Sequence, residues 1–202
     1  TIIISTNQGE LLMTMTHSTD IKEQYAYILD FMPTGHGTDT RPLHLREPLV
    51  QALGIEYFIL LELVMKDGAK IEIENKVFVG KGERDVVKRV EKRLRFEELS
   101  PGSKLELPFM IEKIVKENEA KYVEFFNIAQ PITTRLHMLE LLPGIGKKMM
   151  WALIDERKKG KFKSFKELEE RVKGLHHPDK LIARRIEEEI KDEAIKYRMF
   201  AK

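Results

Sequence analysis

LELLPGIGKKMMWALIDER, residues 139–157, is the stretch whose reading decides the C-terminal third of the chain. An apolar segment closes on Leu142-Pro143. Gly144 and Gly146 then bracket Ile145, and a lysine pair opens a run with helical spacing. Glycine adopts the positive φ of tight turns and lets another backbone come close, so the pattern predicts two helices joined by a short hairpin. The first turn of the second helix has N–H groups without intrahelical acceptors. Together with the helix dipole they favour an anion such as a phosphate oxygen. Lys147 and Lys148 place positive charge at that point, and Ile145 is expected to pin the turn between its helices. Leu139, Leu142, Ala152, Leu153 and Trp151 are the expected helix–helix interface.

Working outward, Thr133 or Thr134 is expected to cap a short helix through Leu141, and a second helix to run from Lys147 to Lys159 until Gly160 stops it. Ser164 with Glu167 reads as a capping box for a third helix, which ends at Lys173-Gly174. Pro178 opens a fourth, continuing to about Lys196. Glu169-Glu170 and Glu187-Glu188-Glu189 read as solvated helix faces.

These residues resemble the helix-hairpin-helix motif of many DNA-handling proteins. The longer stretch to Leu175, with its Phe162/Phe165 link, is similar to the paired-hairpin domain of DNA uptake receptors and repair proteins. The resemblance implies that Gly144, Ile145, Gly146, Lys147 and Lys148 contact the nucleic-acid backbone. The second hairpin departs from the pattern: Gly174-Leu175-His176-His177-Pro178 has no second glycine and no lysine pair. A hairpin that only packs the helices is the competing reading of the same residues.

Upstream, residues 24–32 and 55–66 read as strands, Asp67-Gly68 as a hairpin turn, and residues 70–79 as a strand with Ile71, Ile73, Val77 and Val79 on one face. Residues 33–48 are a long loop, with a short strand at Leu43–Leu45. Residues 83–95 read as a basic helix whose apolar stripe is Val86, Val87, Val90 and Leu94. A further helix follows Ser100, with Pro108 in its first turn; residues 121–128 are either its continuation or a last strand. Gln130-Pro131 breaks the pattern. The expected fold class is α+β: a leader over residues 1–20, with Met13 or Met15 as candidate starts, a small β-barrel of oligonucleotide-binding type over 21–130, and a tandem helix-hairpin-helix domain over 131–202. Tyr25 and Tyr27 share a face by period two and are the first candidates for stacking on bases, with Tyr57 and Phe58 behind them; filling the barrel is the alternative for each ring. Lys81, Arg84, Lys88 and Arg89 lead a segment, Lys81–Arg95, with a local charge of +4. Either they meet phosphates or they solvate a helix face.

From about residue 24 the chain resembles the archaeal domain-of-unknown-function 655 family, which couples a barrel to a helix-hairpin-helix tail. AQPITTRLHMLELLPGIGKKMMWALIDERKKGKF carries the likeness, with LHLREP and ELPFMIEKIVKEN adding to it. The resemblance implies that architecture and nucleic-acid binding, and no known reaction.

Composition sets the outer limits. The 202 residues contain no cysteine, which excludes thiol catalysis, disulfides and cysteine-ligated metals and fits a reducing cytoplasm. No apolar run is long enough to cross a membrane as a helix. The net charge of +2 divides into +6 over residues 131–202 and −4 over residues 1–130, so the basic character sits in the C-terminal third. No nucleophile elbow, phosphate loop or zinc-protease motif is present, and Gly80-Lys81-Gly82 is too short for a nucleotide loop. No catalytic constellation is present and no enzyme is expected; a metal-dependent nuclease would need acidic groups brought together by folding. His36, Asp39 and His44 share a loop but match no metal-binding spacing, and no cofactor is expected. The function expected is sequence-nonspecific binding of DNA or RNA; the alternative is a protein–protein adaptor in a translation or repair assembly. DNA against RNA, strandedness and oligomeric state are not encoded in any motif.

Overall fold

The computed structural model describes residues 3–7, 10–14, 21–37 and 40–202. It falls into two compact units, Thr1–Met110 with Glu189–Lys202, and Ile111–Glu188. This division lies elsewhere than the sequence break at Gln130-Pro131. Within the stretch read as a leader, β1 (Ile3–Asn7) and β2 (Glu10–Thr14) pair as an antiparallel hairpin.

The first unit is built on a curled five-stranded antiparallel sheet: β3 (Tyr25–Met32), β4 (Leu49–Gly54), β5 (Leu60–Met65), β6 (Lys76–Phe78) and β7 (Val87–Arg93), in the order β6-β3-β4-β5-β7. All six residues of β5 are buried, as are five of six in β4. Strands covered on both faces lose polar alternation, which is why β4 gives no period-two signal. The strand expected over 55–66 starts only at Leu60. Residues 55–59 form the β4–β5 turn, closed by the Gly54 N–H on the Ile59 carbonyl at 2.9 Å. The Asp67-Gly68 turn forms, with Gly68 at φ 74. It does not join neighbouring strands, because β6 pairs with β3. Ile71 and Ile73 precede β6 instead of lying on it. Leu43–Leu45 is a turn of 3-10 helix following Pro42, not a strand.

The basic helix expected over 83–95 is a strand. β7 pairs with β5 with register shifts that leave Lys88 and Glu91 unmatched: Met65 faces Val87, Leu63 faces Val90 and Glu62 faces Lys92. Each bulge adds one residue to the period of two, so the inward valines come three apart and imitate a helical stripe. The barrel with a helix between strands is therefore corrected: no helix lies between β5 and β7.

Ser100 caps α1 (Pro101–Glu117), its Oγ accepting the Ser103 N–H at 3.0 Å. The helix begins earlier than expected. Pro101 takes the first helical position, where a missing N–H does no harm, and Pro108 lies inside the helix.

The second unit contains the remainder of α1, α2 (Glu119–Ile128), a 3-10 turn at Met138–Leu141, α3 (Lys147–Lys159), α4 (Phe165–Arg171) and α5 (Pro178–Lys191) up to Glu188. Residues 121–128 are thus helical. The cap of the 3-10 turn is His137, whose Nδ1 accepts the Leu139 N–H, not Thr133 or Thr134. Burial lowers the His137 pKa. Arg157 donates to the Phe126 and Ala129 carbonyls at the end of α2, at 3.2 and 2.8 Å. Asn127 exchanges two hydrogen bonds with the Phe162 backbone. The expected interface holds at Leu139, Leu142 and Leu153, all buried, and fails at Trp151, which is 56 % exposed. Ser164 caps α4 by accepting the Glu167 N–H, while Glu167 reaches back to the Lys163 N–H. α5 stops at Lys191, short of Lys196.

The solvated acidic faces are corrected at one position: Glu189 is fully buried, while Glu169 and Glu170 are exposed as expected, Glu169 also accepting the His177 N–H.

Candidate nucleic-acid interface

The Pro143–Lys148 turn is built from one hydrogen bond and one unusual dihedral. The Ile145 N–H donates to the Leu142 carbonyl at 3.1 Å, and Gly144 holds φ 87. That conformation disfavours a Cβ, so Gly144 is required. Gly146 is not: it caps α3 in an extended conformation at φ −88. A Cβ built on it meets nothing within 4 Å, so the space in front of it is open. Ile145 is 5 % exposed and anchors the turn, while Gly144, Gly146, Lys147 and Lys148 face solvent. The Met150 N–H donates to the Gly146 carbonyl, starting the helical ladder and leaving the earlier N–H groups of α3 outside it. Among the described residues, Lys147 and Lys148 have no ion-pair or hydrogen-bond partner.

Lys173–Pro178 repeats the first half of this turn and is one residue longer: His177, at φ 49, takes the place before α5 that the extended Gly146 takes before α3, its carbonyl accepting the Leu181 N–H. Gly174 sits at φ 88, the Leu175 N–H donates to the Val172 carbonyl at 3.1 Å, and Leu175 is buried. The two glycines mirror each other in packing: a Cβ on Gly144 would lie 4.0 Å from Leu181 Cδ2 of α5, and one on Gly174 3.5 Å from Met149 Cε of α3. The difference lies in what meets the amides. In the second turn the His177 N–H donates to the Glu169 carboxylate at 2.5 Å. The protein's own anion holds a turn amide that in the first turn has no side-chain acceptor among the described residues.

The other expected contacts belong to the first unit and are dispersed. Tyr25 is 45 % exposed, with its ring edge-on to Phe78 at 5.4 Å and Lys76 Nζ 4.6 Å above it. Tyr27 is buried and presents no open face. Tyr57 is half-buried, with Lys202 Nζ 4.2 Å from its ring, and burial raises its pKa to about 12. Phe58 is buried. Lys81 and Arg84 lie in the connection before β7; Lys88 and Arg89 are on β7. Lys88 and Arg89 are already answered by Glu47, at 2.7 Å each, and Arg89 also by Glu91 at 2.7 Å. These cations hold the Glu47 carboxyl down at about 2. His36 Nε2 lies 2.6 Å from the buried Glu62 carboxylate, and Asp39 is outside the described residues. No group of three His, Asp or Glu side chains positioned for a metal occurs among the described residues.

Glu47 therefore masks the strand's charge. Glu47→Gln is expected to free Lys88 and Arg89 and to steepen the salt dependence of polyanion binding by up to about 0.9 per phosphate gained, read by heparin elution or oligonucleotide titration. An unchanged slope would mean that neither cation reaches a phosphate. A depressed carboxyl adds its stability above the unfolded value of 4.5 and loses it as pH falls through about 2, so the same variant should flatten the acid limb of the stability profile.

Trp151 is the residue that sequence reasoning misplaced. It lies four residues after Lys147 and three after Lys148, which puts it on their exposed face of α3, and that spacing was legible.

A family model described as "Protein of unknown function (DUF655)" matches residues 22–202. The chain belongs to the DUF655 family. A family protein from Methanocaldococcus jannaschii, the uncharacterized protein MJ0038, is 44 % identical over 181 residues, covering 89 % of this chain and 80 % of that one. The crystal structure of Af1531 from Archaeoglobus fulgidus, also DUF655, superimposes with a TM-score of 0.84 at 54 % identity, over 89 % of this chain and 100 % of Af1531. The family's description names no reaction and no ligand. Among the described residues, no helix is long and apolar enough to cross a membrane.

Proposed function

We propose that this DUF655 protein binds nucleic acid through the phosphate backbone, at the Pro143–Lys148 turn, without reading base sequence. One observation carries the reading. Two turns that share a positive-φ glycine and a buried apolar pin stand in one unit; the second has the amide just before its helix on an internal carboxylate, while the first pairs amides that have no side-chain acceptor among the described residues with two unpartnered lysines. N–H groups left outside the helical ladder at the start of α3, with the helix dipole and two lysines beside them, suit a phosphate oxygen. On this reading the two turns form a tandem helix-hairpin-helix domain with a single binding hairpin, and the curled sheet is a barrel of oligonucleotide-binding type in a cytoplasmic protein. Contacts confined to the backbone position a strand but do not specify its bases.

Trp151, the chain's one tryptophan, supplies the measurement. Its fluorescence should respond to poly(dT), poly(rU) and duplexes of both kinds, titrated at several salt concentrations. Lys147→Ala with Lys148→Ala is expected to lower the salt slope by roughly 1.4 on single strands or 1.8 on duplex, two contacts at about 0.7 or 0.9 each. A slope that does not move, in a variant with unchanged unfolding, would end the hairpin reading. The adaptor reading draws on Leu105 and Phe109 of α1, which are 74 % and 66 % exposed and one helical turn apart. It requires a partner complex that survives nuclease treatment and is lost in Phe109→Asp.

A further inference from the structure

The Gly80-Lys81-Gly82 segment has no part in the hairpin reading, and it borders a cleft of about 300 Å³ in the first unit. Its floor is aliphatic: Ile59, Leu61 and Val79 are nearly buried, and Val90 of β7 is half-buried. Its rim is cationic, with Lys22, Lys81, Arg84 and Arg93. Glu23 is the one carboxylate of the lining, and its oxygens accept the backbone N–H groups of Glu56, Tyr57 and Ile59. It is therefore turned to the β4–β5 turn and bonded there.

The rim is held by backbone contacts. Arg84 Nε donates to the Gly80 carbonyl at 3.0 Å, and the Arg84 carbonyl accepts from Lys66 Nζ at 2.5 Å. One guanidinium nitrogen of Arg93 donates to the Ile21 carbonyl. These bonds fix the stems of both arginines and use only part of each guanidinium's donor set. Lys81 is exposed and has no partner among the described residues. Both glycines have packing reasons that leave Lys81 at the rim. A Cβ on Gly80 would fall 2.2 Å from Gln24 Oε1, and Gly82 sits at φ 123.

We propose that this cleft is a binding site for a phosphate monoester carried on a flat or apolar body of roughly mononucleotide size. The aliphatic floor offers a bare inorganic anion no donor and repays only an apolar body. The cationic rim in turn rewards an anionic end that a neutral body lacks. A volume of about 300 Å³ lies at the small end of ligand sites and excludes an extended polymer from the cleft itself. Such a group can come from a free small molecule or from the 5′-phosphorylated end of a strand.

Calorimetric titration of the full chain with AMP, phenyl phosphate, adenosine, octanoate and inorganic phosphate tests it. AMP or phenyl phosphate is expected to bind at least tenfold more tightly than adenosine, octanoate or inorganic phosphate. Lys81→Glu, at an exposed and unpartnered site, should weaken that binding at least tenfold while leaving the ligand-free unfolding midpoint unchanged. Lys147→Ala with Lys148→Ala should leave it intact, which separates this site from the turn. Displacement of AMP by a 5′-phosphorylated but not a 5′-hydroxyl oligonucleotide supports the site with a strand end as its source; displacement by neither supports a free molecule. Equal binding of adenosine, octanoate or the 5′-hydroxyl strand, or indifference to Lys81→Glu, overturns the proposal.

Discussion

Glu189→Ala is expected to lower the stability of the chain by about 3–5 kcal/mol, more than any surface substitution. The side chain is fully buried, and its two oxygens accept the N–H groups of Met199, Phe200 and Ala201 at 2.9, 2.9 and 3.0 Å. The Glu189 carbonyl takes a further bond from Arg198 at 2.8 Å, and the Lys202 N–H closes on the Tyr57 carbonyl at 3.0 Å. One carboxylate thus pins the last segment of the first unit. Hydrogen bonds to a charged acceptor contribute roughly 1.5–3 kcal/mol each, but the three are not additive, because a freed segment turns its amides to water. What is then lost is the burial of Met199 and Ala201, 6 % and 2 % exposed. In a chain of this length a change of this size moves the thermal midpoint by roughly 10–15 °C. Glu189→Gln should recover little, since its amide group points donors at donors. Glu188→Ala, on a half-exposed neighbour, should stay within about 0.5 kcal/mol. Equal midpoints for Glu188→Ala and Glu189→Ala would show that the segment is held without the carboxylate.

The contrast between those two neighbours marks the limit of the sequence. Glu187-Glu188-Glu189 is a run of identical side chains, and helical period alone makes all three look solvated. The acceptor that makes burial of Glu189 tolerable is supplied by backbone N–H groups ten to twelve residues later, with no compositional signature. Non-local partners of this kind are invisible to any window-based reading. The helical unit was largely legible because its signals are local: Gly144 and Gly174 at positive φ, Ser164 at a cap, Gly160 at a stop. The sheet was less so, for two physical reasons. β4 is covered on both faces and carries no alternation, and β7 is bulged so that its valines imitate a helix.

At the candidate site the same division holds. The turn lies where the sequence placed it, with Gly144 at positive φ and Ile145 buried as its pin, while Gly146 is extended instead of left-handed. Whether the basic stretch on β7 meets phosphates or solvates a face stays open in the sequence because charge counts ignore Glu47, which is 41 and 42 residues from its two partners. Tyr27, paired with Tyr25 by period two, is buried where Tyr25 is exposed. That follows from the curled sheet taking Ala26 through Leu29 inward without a break.

The second large effect is a coupling, between Glu23 and Gly54. Glu23 is 4 % exposed and accepts the N–H groups of Glu56, Tyr57 and Ile59 at 2.9, 2.8 and 3.2 Å. The turn it holds contains Phe58 at φ 57, a left-handed conformation that a bulky residue adopts only when its surroundings enforce it. Gly54 leaves the carboxyl its seat: a Cβ there would lie 2.1 Å from Glu23 Cδ and Oε1. Glu23→Ala is therefore expected to cost about 2–4 kcal/mol, by leaving three amides of a tight turn without their acceptor. Gly54→Ala should cost about 2–3 kcal/mol in the natural background, because the carboxylate cannot move aside without breaking those bonds. In the Glu23→Ala background the same methyl enters vacated space, and its cost should fall close to zero. Urea unfolding of the four proteins measures the coupling, about 2 kcal/mol on this argument. Burial raises the Glu23 pKa above 4.5 against the pull of its three amide donors. A raised carboxyl contributes its stability in full below the unfolded value and loses it as pH rises through the folded one. The gap between the natural chain and Glu23→Ala should accordingly be widest on the acid side and narrow toward neutrality. Strict additivity of the two substitutions would show that the turn keeps its shape without Glu23, and Phe58 would then need another source of restraint.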